Sequence, residues 1–342
     1  MIKVLVVDDS ITVRKKIVEI VEKSLECTVV GEAKNGREAF NLVELESPDV
    51  IVMDLAMPVM DGQEATELIM SYHPTPIIIH SSAANRGEDY KTIDALSAGA
   101  LDFVEKMVEN WEEELIFKIK RASRIKVVTH LKKKKVYHET FKYASMAKTT
   151  QCEYNLLVMG ASTGGPKATL DILCHLPQNF PIPIVVVIHV ADSFRNSLCD
   201  WLNNNSGFDV RIPQDNDSLF DRQGVVYLAP PSKHLIVAKG KLRLTCSPEV
   251  NFCRPSIDVL FQSVAHNHRY KAIGILLTGM GRDGALGLKA IRDSGGYTIV
   301  QDQNTSIVFG MPNEAIKIGA ATIVLPHYDI PDKVMSLVKA HR

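Results

Sequence analysis

Apolar positions along this 342-residue chain gather into short unbroken runs, separated by helix-length segments in which they recur every three or four residues. The first run, residues 2–7, is apolar and β-forming apart from Lys3, the pattern of a strand buried on both faces of a parallel sheet. It stops at Asp8 and Asp9, and Ser10 then stands where it can cap a helix whose apolar residues Val13, Ile17, Ile20 and Val21 share one face. Strand-like runs return at 28–31, 50–53, 77–79 and 102–104. This alternation predicts a doubly wound α/β domain of about five parallel strands. The pattern weakens after 122 and resumes at 156–159, 184–188, 225–228, 272–277 and 297–300, predicting a second doubly wound α/β domain.

Length supports two domains, since one typical domain takes ~150 residues. The boundaries read from the pattern are 1–122 and 153–342, joined by a linker at 123–152. The join is basic: Lys118, Lys120, Arg121, Arg124, Lys126 and Lys132 to Lys135 occur with no acid among them. A solvated tether is the plain reading of such a run; an anionic docking site is the alternative. The formal net charge is −1, which gives no global electrostatic case for nucleic acid or membrane partners, and no DNA-reading module is visible downstream. Cys27, Cys152, Cys174, Cys199, Cys246 and Cys253 are scattered without a C-x-x-C pair, and are expected to be reduced, mostly buried thiols. No run approaches the ~20 apolar residues of a membrane span, and no signal segment opens the chain. A soluble cytoplasmic protein is expected, with no direct membrane insertion.

The candidate chemistry lies at strand ends, where open α/β sheets bind their ligands. In the second half, Gly160-Ala161-Ser162-Thr163-Gly164-Gly165-Pro166 follows an apolar run and precedes a helix-like segment. It fits a nucleophile elbow, a phosphate-cradling turn or a plain turn, although the Lys-Ser/Thr ending of a P-loop is missing. His189 ends the run 184–188, and Asp283 follows 272–277 within Thr278-Gly279-Met280-Gly281-Arg282-Asp283-Gly284. If these strands are parallel, serine, histidine and acid share one edge, the minimum set for acyl transfer. Their chain order, Ser, His, Asp, departs from that of α/β-hydrolases. A structural histidine and a turn-forming aspartate are the plain alternatives. In the first half Asp8, Asp9 and Asp54 converge at strand ends, with Ser81 and Lys106 beside them. Three carboxylates on one edge call for a hard divalent cation, Mg²⁺ foremost.

Two family resemblances follow from these motifs. Residues 1–122 resemble the receiver domain of two-component response regulators, through Val7-Asp8-Asp9-Ser10, Met53-Asp54 to Asp61-Gly62, Ser81-Ser82 and Gly99-Ala100 to Glu105-Lys106. The resemblance implies Asp54 as phospho-acceptor, Asp8 and Asp9 as Mg²⁺ ligands with it, Ser81 as switch hydroxyl, Phe103 as switch aromatic and Lys106 as phosphoryl contact. Met107 stands where that family usually has proline, so the usual cis peptide is not expected, a non-proline cis bond costing roughly 2.5–4 kcal/mol.

The second half resembles the catalytic domain of chemotaxis protein-glutamate methylesterases, through Gly160 to Gly165, Arg254-Pro255-Ser256-Ile257-Asp258-Val259-Leu260-Phe261, Leu277 to Ala285 and Gly310-Met311-Pro312. The resemblance implies Ser162 as nucleophile, His189 as base, Asp283 as its orienting acid, and Thr163 and Met280 near the oxyanion. It implies no cofactor in the esterase domain. The implied substrate is a glutamyl methyl ester on a chemoreceptor's cytoplasmic helix, with glutamine deamidation as a companion activity and a chemotaxis histidine kinase as phosphoryl donor. The receiver is expected to gate the esterase. Ile188 and Val190 flank the histidine where the family commonly has Gln and Met. The competing expectation is a receiver-coupled docking module with a weakened esterase domain.

Overall fold

The five apolar runs of the first half pair as one parallel sheet, with β1 (Ile2–Val7), β2 (Cys27–Ala33), β3 (Val50–Met53), β4 (Ile77–Ser81) and β5 (Asp102–Glu105) in the order β2-β1-β3-β4-β5. The computed structural model describes residues 1–81, 86–125, 127, 154–221, 223–267 and 271–338. It divides into two compact units, Met1–Lys132 and Lys133–Arg342. Most of the expected linker, from 128 on, lies outside the described residues.

In the first unit Val4, Leu5, Val6, Ile51, Val52, Ile78 and Ile79 are fully buried, as the unbroken apolar runs require. Ser10 caps the helix Ile11–Lys23 by accepting the Val13 N–H, and Ile17, Ile20 and Val21 form its buried stripe. Since β1 and β3 are parallel neighbours, the residues that follow them emerge at the same edge: the Asp54 N–H donates to the Val7 carbonyl at 2.8 Å. Part of the basic run belongs to this unit. Lys118 pairs with Asp102 at 3.0 Å and Glu114 at 2.7 Å, and Lys120 with Glu26 at 2.6 Å.

The second unit carries β6 (Leu156–Ala161), β7 (Ile184–Ile188), β8 (Asp209–Arg211), β9 (Val225–Leu228), β10 (His234–Ala238), β11 (Lys241–Thr245), β12 (Ala272–Leu276), β13 (Tyr297–Gln301) and β14 (Ile323–Leu325). Seven of them form a parallel sheet in the order β14-β13-β12-β6-β7-β9-β8, while β10 and β11 form a separate antiparallel hairpin. The periodicity of the sequence points to β6, β7, β9, β12 and β13. Strands β8 and β14 are three-residue edge strands, too short for a periodic signal. The hairpin buries Leu235, Val237 and Leu242 and turns at Lys239 and Gly240, both at positive φ, which is the twist-matched tight turn of a two-residue hairpin.

From β6 the chain builds outward through β7 to one edge, then returns and builds through β12 and β13 to the other. Strand β6 is therefore flanked by β7 and β12 at a topological switch point, where doubly wound sheets open a crevice. Beneath it Leu156, Val158, Val185, Val187 and Leu276 pack with Ile257, Leu260 and Phe261 of the helix Ile257–Ala265. Each such buried side chain contributes on the order of 1.5–3 kcal/mol, so the strand ends stand on a rigid base. No helix among the described residues is long and apolar enough to cross a membrane.

Candidate active site

Ser162 is the first residue beyond β6, on a turn closed by the Gly165 N–H donating to the Ser162 carbonyl at 2.6 Å. Gly164 holds φ +74 at the start of the helix Gly165–Cys174, whose first turn contains Pro166. A side chain at Gly164 would meet that left-handed backbone and an Ile307 carbon 2.8 Å from the Cβ position. From the neighbouring strand end, the Thr278 carbonyl accepts the Ser162 N–H at 3.0 Å. The buried Thr278 hydroxyl donates to the Thr163 carbonyl at 2.9 Å and accepts the Val308 N–H at 3.0 Å. Gln301 in turn accepts the Thr278 N–H at 2.7 Å. The serine turn is thus tied to the ends of β12 and β13. Among the described residues the Thr163 N–H donates to no protein acceptor.

His189 follows β7, and its N–H donates to the Ala161 carbonyl at 2.9 Å, immediately before Ser162. Arg195, 1 % exposed, sends its guanidinium to the carbonyls on both sides of the histidine, Ile188 and Val190. Burial lowers the Arg195 pKa to about 10, which leaves the cation charged at neutral pH.

Asp283 comes from the loop after β12, and its Oδ2 lies 3.0 Å from His189 Nε2. The length is that of a hydrogen bond, although the ring N–H direction falls off the ideal line; such contacts often tighten only when substrate binds. The carboxylate also accepts the Ser256 hydroxyl at 2.7 Å, the Ile257 N–H at 2.7 Å, the Asp258 N–H at 3.2 Å and Asn251 Nδ2 at 3.1 Å. Burial by itself would push this carboxyl up. The hydrogen bonds from His189, Ser256 and Ile257 outweigh burial and hold it below the usual carboxylate range. The two backbone donors belong to the N-terminal turn of the helix Ile257–Ala265, where a negative charge is favoured. Asp283 thus occupies a helix N-terminus and faces a histidine at once. Asp258 lies beneath it, its pKa raised to about 6 by burial, partly countered by the Gly287 N–H and increased by Asp283.

In the first unit Asp8, Asp9 and Asp54 bring carboxylate oxygens within 4.8 Å of one another. Asp8 and Asp54 are buried and Asp9 is exposed. Lys106 Nζ bridges the buried pair, 2.9 Å from Asp8 Oδ2 and 2.8 Å from Asp54 Oδ1. Burial raises the Asp54 carboxyl above its usual range despite the opposing Lys106 charge. Lys106 would be lowered by its own burial, but the two carboxylates raise it overall. The Lys106 N–H donates to the Ser81 carbonyl at 2.9 Å, which pins the lysine without a cis peptide; Met107 takes φ +60. Phe103 is buried as the second residue of β5.

Residues 157–334 match the protein-family model described as CheB methylesterase. A Carboxydothermus hydrogenoformans protein called protein-glutamate methylesterase/protein-glutamine glutaminase 2 is 38 % identical over 99 % of this chain and 99 % of its own. The chain belongs to the CheB methylesterase family. A Syntrophus aciditrophicus protein called protein-glutamate methylesterase/protein-glutamine glutaminase 1 is 40 % identical over 98 % of this chain and 96 % of its own. The crystal structure of the Thermotoga maritima CheB methylesterase catalytic domain superimposes with a TM-score of 0.51 at 39 % identity, covering 54 % of this chain and 99 % of that one. Residues 4–120 match the response regulator receiver domain, so this CheB-family chain couples the two expected folds.

Within this CheB-family domain, Ser162, His189 and Asp283 converge at the switch point, as three parallel strand ends should. Sequence reasoning missed Arg195, Asn251, Ser256, Asp258, Thr278 and Gln301, which hold that set in place. Ser256 and Asp258 stand in the Arg254 to Phe261 motif and Thr278 in the Leu277 to Ala285 motif, while Arg195, Asn251 and Gln301 stand in neither. One expectation about cysteines is corrected. Of those described, only Cys27 and Cys199 are buried, Cys174 and Cys246 are exposed, and Cys253 is half-buried beside His189. Their positions outside strand interiors leave less apolar cover than the residue type usually finds.

Proposed function

We propose that this chain is a phosphorylation-controlled protein-glutamate methylesterase. It hydrolyses glutamyl methyl esters on the cytoplasmic helices of chemoreceptors to glutamate and methanol, and deamidates receptor glutamines by the same chemistry. The observation that carries the reading is the convergence of Ser162, His189 and Asp283 at the ends of β6, β7 and β12, with the His189–Asp283 contact at 3.0 Å. Because Nε2 faces Asp283, His189 Nδ1 is the nitrogen that takes the Ser162 hydroxyl proton as the oxygen attacks the ester carbonyl. Asp283 fixes the tautomer and stabilises the imidazolium. The Thr163 N–H and the backbone near Met280 face the developing oxyanion, where one donor is worth roughly 3–4 kcal/mol. Collapse of the tetrahedral adduct breaks the bond to the methoxy oxygen, which leaves as methanol with the proton from His189. Water, deprotonated by the same nitrogen, then cleaves the acyl-enzyme.

Asp54 is the phospho-acceptor, and a chemotaxis histidine kinase is the donor. Three hard carboxylate oxygen donors within reach of one another suit Mg²⁺, which Asp8, Asp9 and Asp54 would hold. When bound, the cation neutralises charge on the transferring phosphoryl group. Lys106 is already on the Asp54 carboxylate and would follow it as a contact to the phosphoryl oxygens. Ser81 and Phe103 relay the change. A docking platform without turnover would have no need of a carboxylate held ionised against a histidine, so the esterase reading is preferred.

Methanol release from methylated receptor tests the assignment. Ser162→Ala lowers it by at least ~10³-fold while circular dichroism and melting stay those of the unaltered protein. Turnover by that variant at the original rate would remove Ser162 from the mechanism.

A further inference from the structure

Cys253 has no part in the acyl transfer just described, yet it sits against its base. The turn Val250–Cys253 is closed by an antiparallel bridge, and its central residues Asn251 and Phe252 both adopt positive φ, +54 and +61. This tight reversal brings the Cys253 thiol to 3.8 Å from His189 Nδ1, with the Asn251 carbonyl at 3.4 Å from the sulfur. His189, Cys253 and Asp283 thereby place a nitrogen, a sulfur and a carboxylate oxygen within 4.8 Å of one another.

We propose that His189 Nδ1 and Cys253 Sγ form a binding site for a borderline-soft divalent cation, Zn²⁺ above all, and that its occupation switches the esterase off. Zinc bonds of ~2.0–2.1 Å to nitrogen and ~2.3 Å to sulfur, at a tetrahedral angle, separate the two donor atoms by about 3.6 Å. The observed 3.8 Å needs only a small adjustment. Asp283 supplies the outer support. A carboxylate on the far ring nitrogen is the usual companion of a zinc-bound histidine, fixing the proton there and the free lone pair toward the metal. Asp283 is not itself a ligand in this scheme, because its oxygens already accept from Ser256, Ile257, Asp258 and Asn251. Water completes the coordination, since His189 and Cys253 are only part-buried.

The proton balance is simple. Cys253 releases its thiol proton to solvent as the sulfur–metal bond forms, the imidazole keeps its Nε2 proton, and nothing is oxidised or reduced. Binding therefore tightens as pH rises. The occupied lone pair is the one that must take the Ser162 proton, so metal binding and general-base action exclude each other. Softness separates this site from the all-oxygen cluster of the receiver unit, which favours Mg²⁺. The inhibitory half of the proposal rests on the esterase reading; the binding half does not.

The experiment has two arms. In the first, the full chain carrying Ser162→Ala is titrated with Co²⁺, a spectroscopic stand-in for zinc. A thiolate-to-cobalt charge-transfer band is expected at one equivalent, bleached by Zn²⁺, and lost when Cys253→Ala is added. A band of unchanged strength in the double variant would assign the thiolate to exposed Cys174 or Cys246 and overturn the proposal. In the second arm, methanol release is followed against buffered Zn²⁺, each protein normalised to its own metal-free rate. Cys253→Ala and Cys253→Ser are expected to need at least 10-fold more zinc for half-inhibition than the unaltered protein, and a chelator is expected to restore the rate. The serine variant guards against a folding defect in the alanine one. Equal zinc sensitivity in all three proteins would overturn the proposal. A Cys253-dependent cobalt band in the Ser162→Ala chain, with no methanol released by the unaltered protein under any condition, would keep the metal site and remove the esterase reading instead.

Discussion

Arg195 holds the His189 peptide from both sides, its Nη1 donating to the Ile188 carbonyl and its Nη2 to the Val190 carbonyl at 3.2 Å. The positions flanking the histidine are apolar in this chain, so its placement depends on backbone contacts that the side chains at 188 and 190 do not provide. Arg195→Met removes both donors. The expected result is a fall in kcat of about 10²-fold, the scale of a 1 Å misplacement in an active site, with a smaller change in KM. Arg195→Lys keeps the charge but not the planar fork and is expected to recover part of the loss. Steady-state methanol release for the three proteins measures the split.

Asp54 follows the central strand β3 and shares Lys106 with Asp8. Asp54→Asn is expected to leave basal methanol release in place and to abolish its stimulation by acetyl phosphate with Mg²⁺. Stimulation that survives in the variant would place the control elsewhere in the chain.

Asp258 links pH to stability. Its folded pKa of about 6 stands above the ~3.9 of an unfolded aspartate. Between pH ~4 and ~6 the folded state keeps a proton that the unfolded state has released, so stability declines as pH rises through that window, by on the order of 3 kcal/mol. Asp283 acts in the opposite sense: its lowered carboxyl stabilises the fold above pH ~4, and this is lost as pH falls through its folded value. Asp258→Asn is expected to remove the first contribution. The melting temperature of the variant should therefore gain on that of the unaltered protein as pH is raised from 4 to 7. A difference that stays constant across that range would exclude Asp258 as the source.

Much of this architecture was legible in the chain. An unbroken run such as Ile184–Ile188 needs no partner to announce a doubly buried strand, and residues at its end must lie at a sheet edge. That is why Ser162, His189, Asp283, Asp54 and Lys106 could be picked out one by one. Strands β10 and β11 were not legible, because their half-exposed pattern is also that of a loop. Arg195 was equally hidden: a single arginine in a polar segment reads as solvent-exposed until a fold buries it against two carbonyls.

Local pattern alone therefore determined the two α/β halves, their strand ends and the types of side chain standing there, since periodicity and turn chemistry act over a few residues. The tertiary structure decided what those residues are to one another. Setting β12 and β7 on either side of β6, across more than a hundred residues of chain, made Asp283 the partner of His189. Packing the N-terminus of the helix Ile257–Ala265 against that aspartate kept it ionised. The reversal at Asn251 and Phe252 brought Cys253 to the other face of the same imidazole. Such relations depend on long-range strand order and on the burial of particular groups, and neither is encoded in the spacing of residues along the chain.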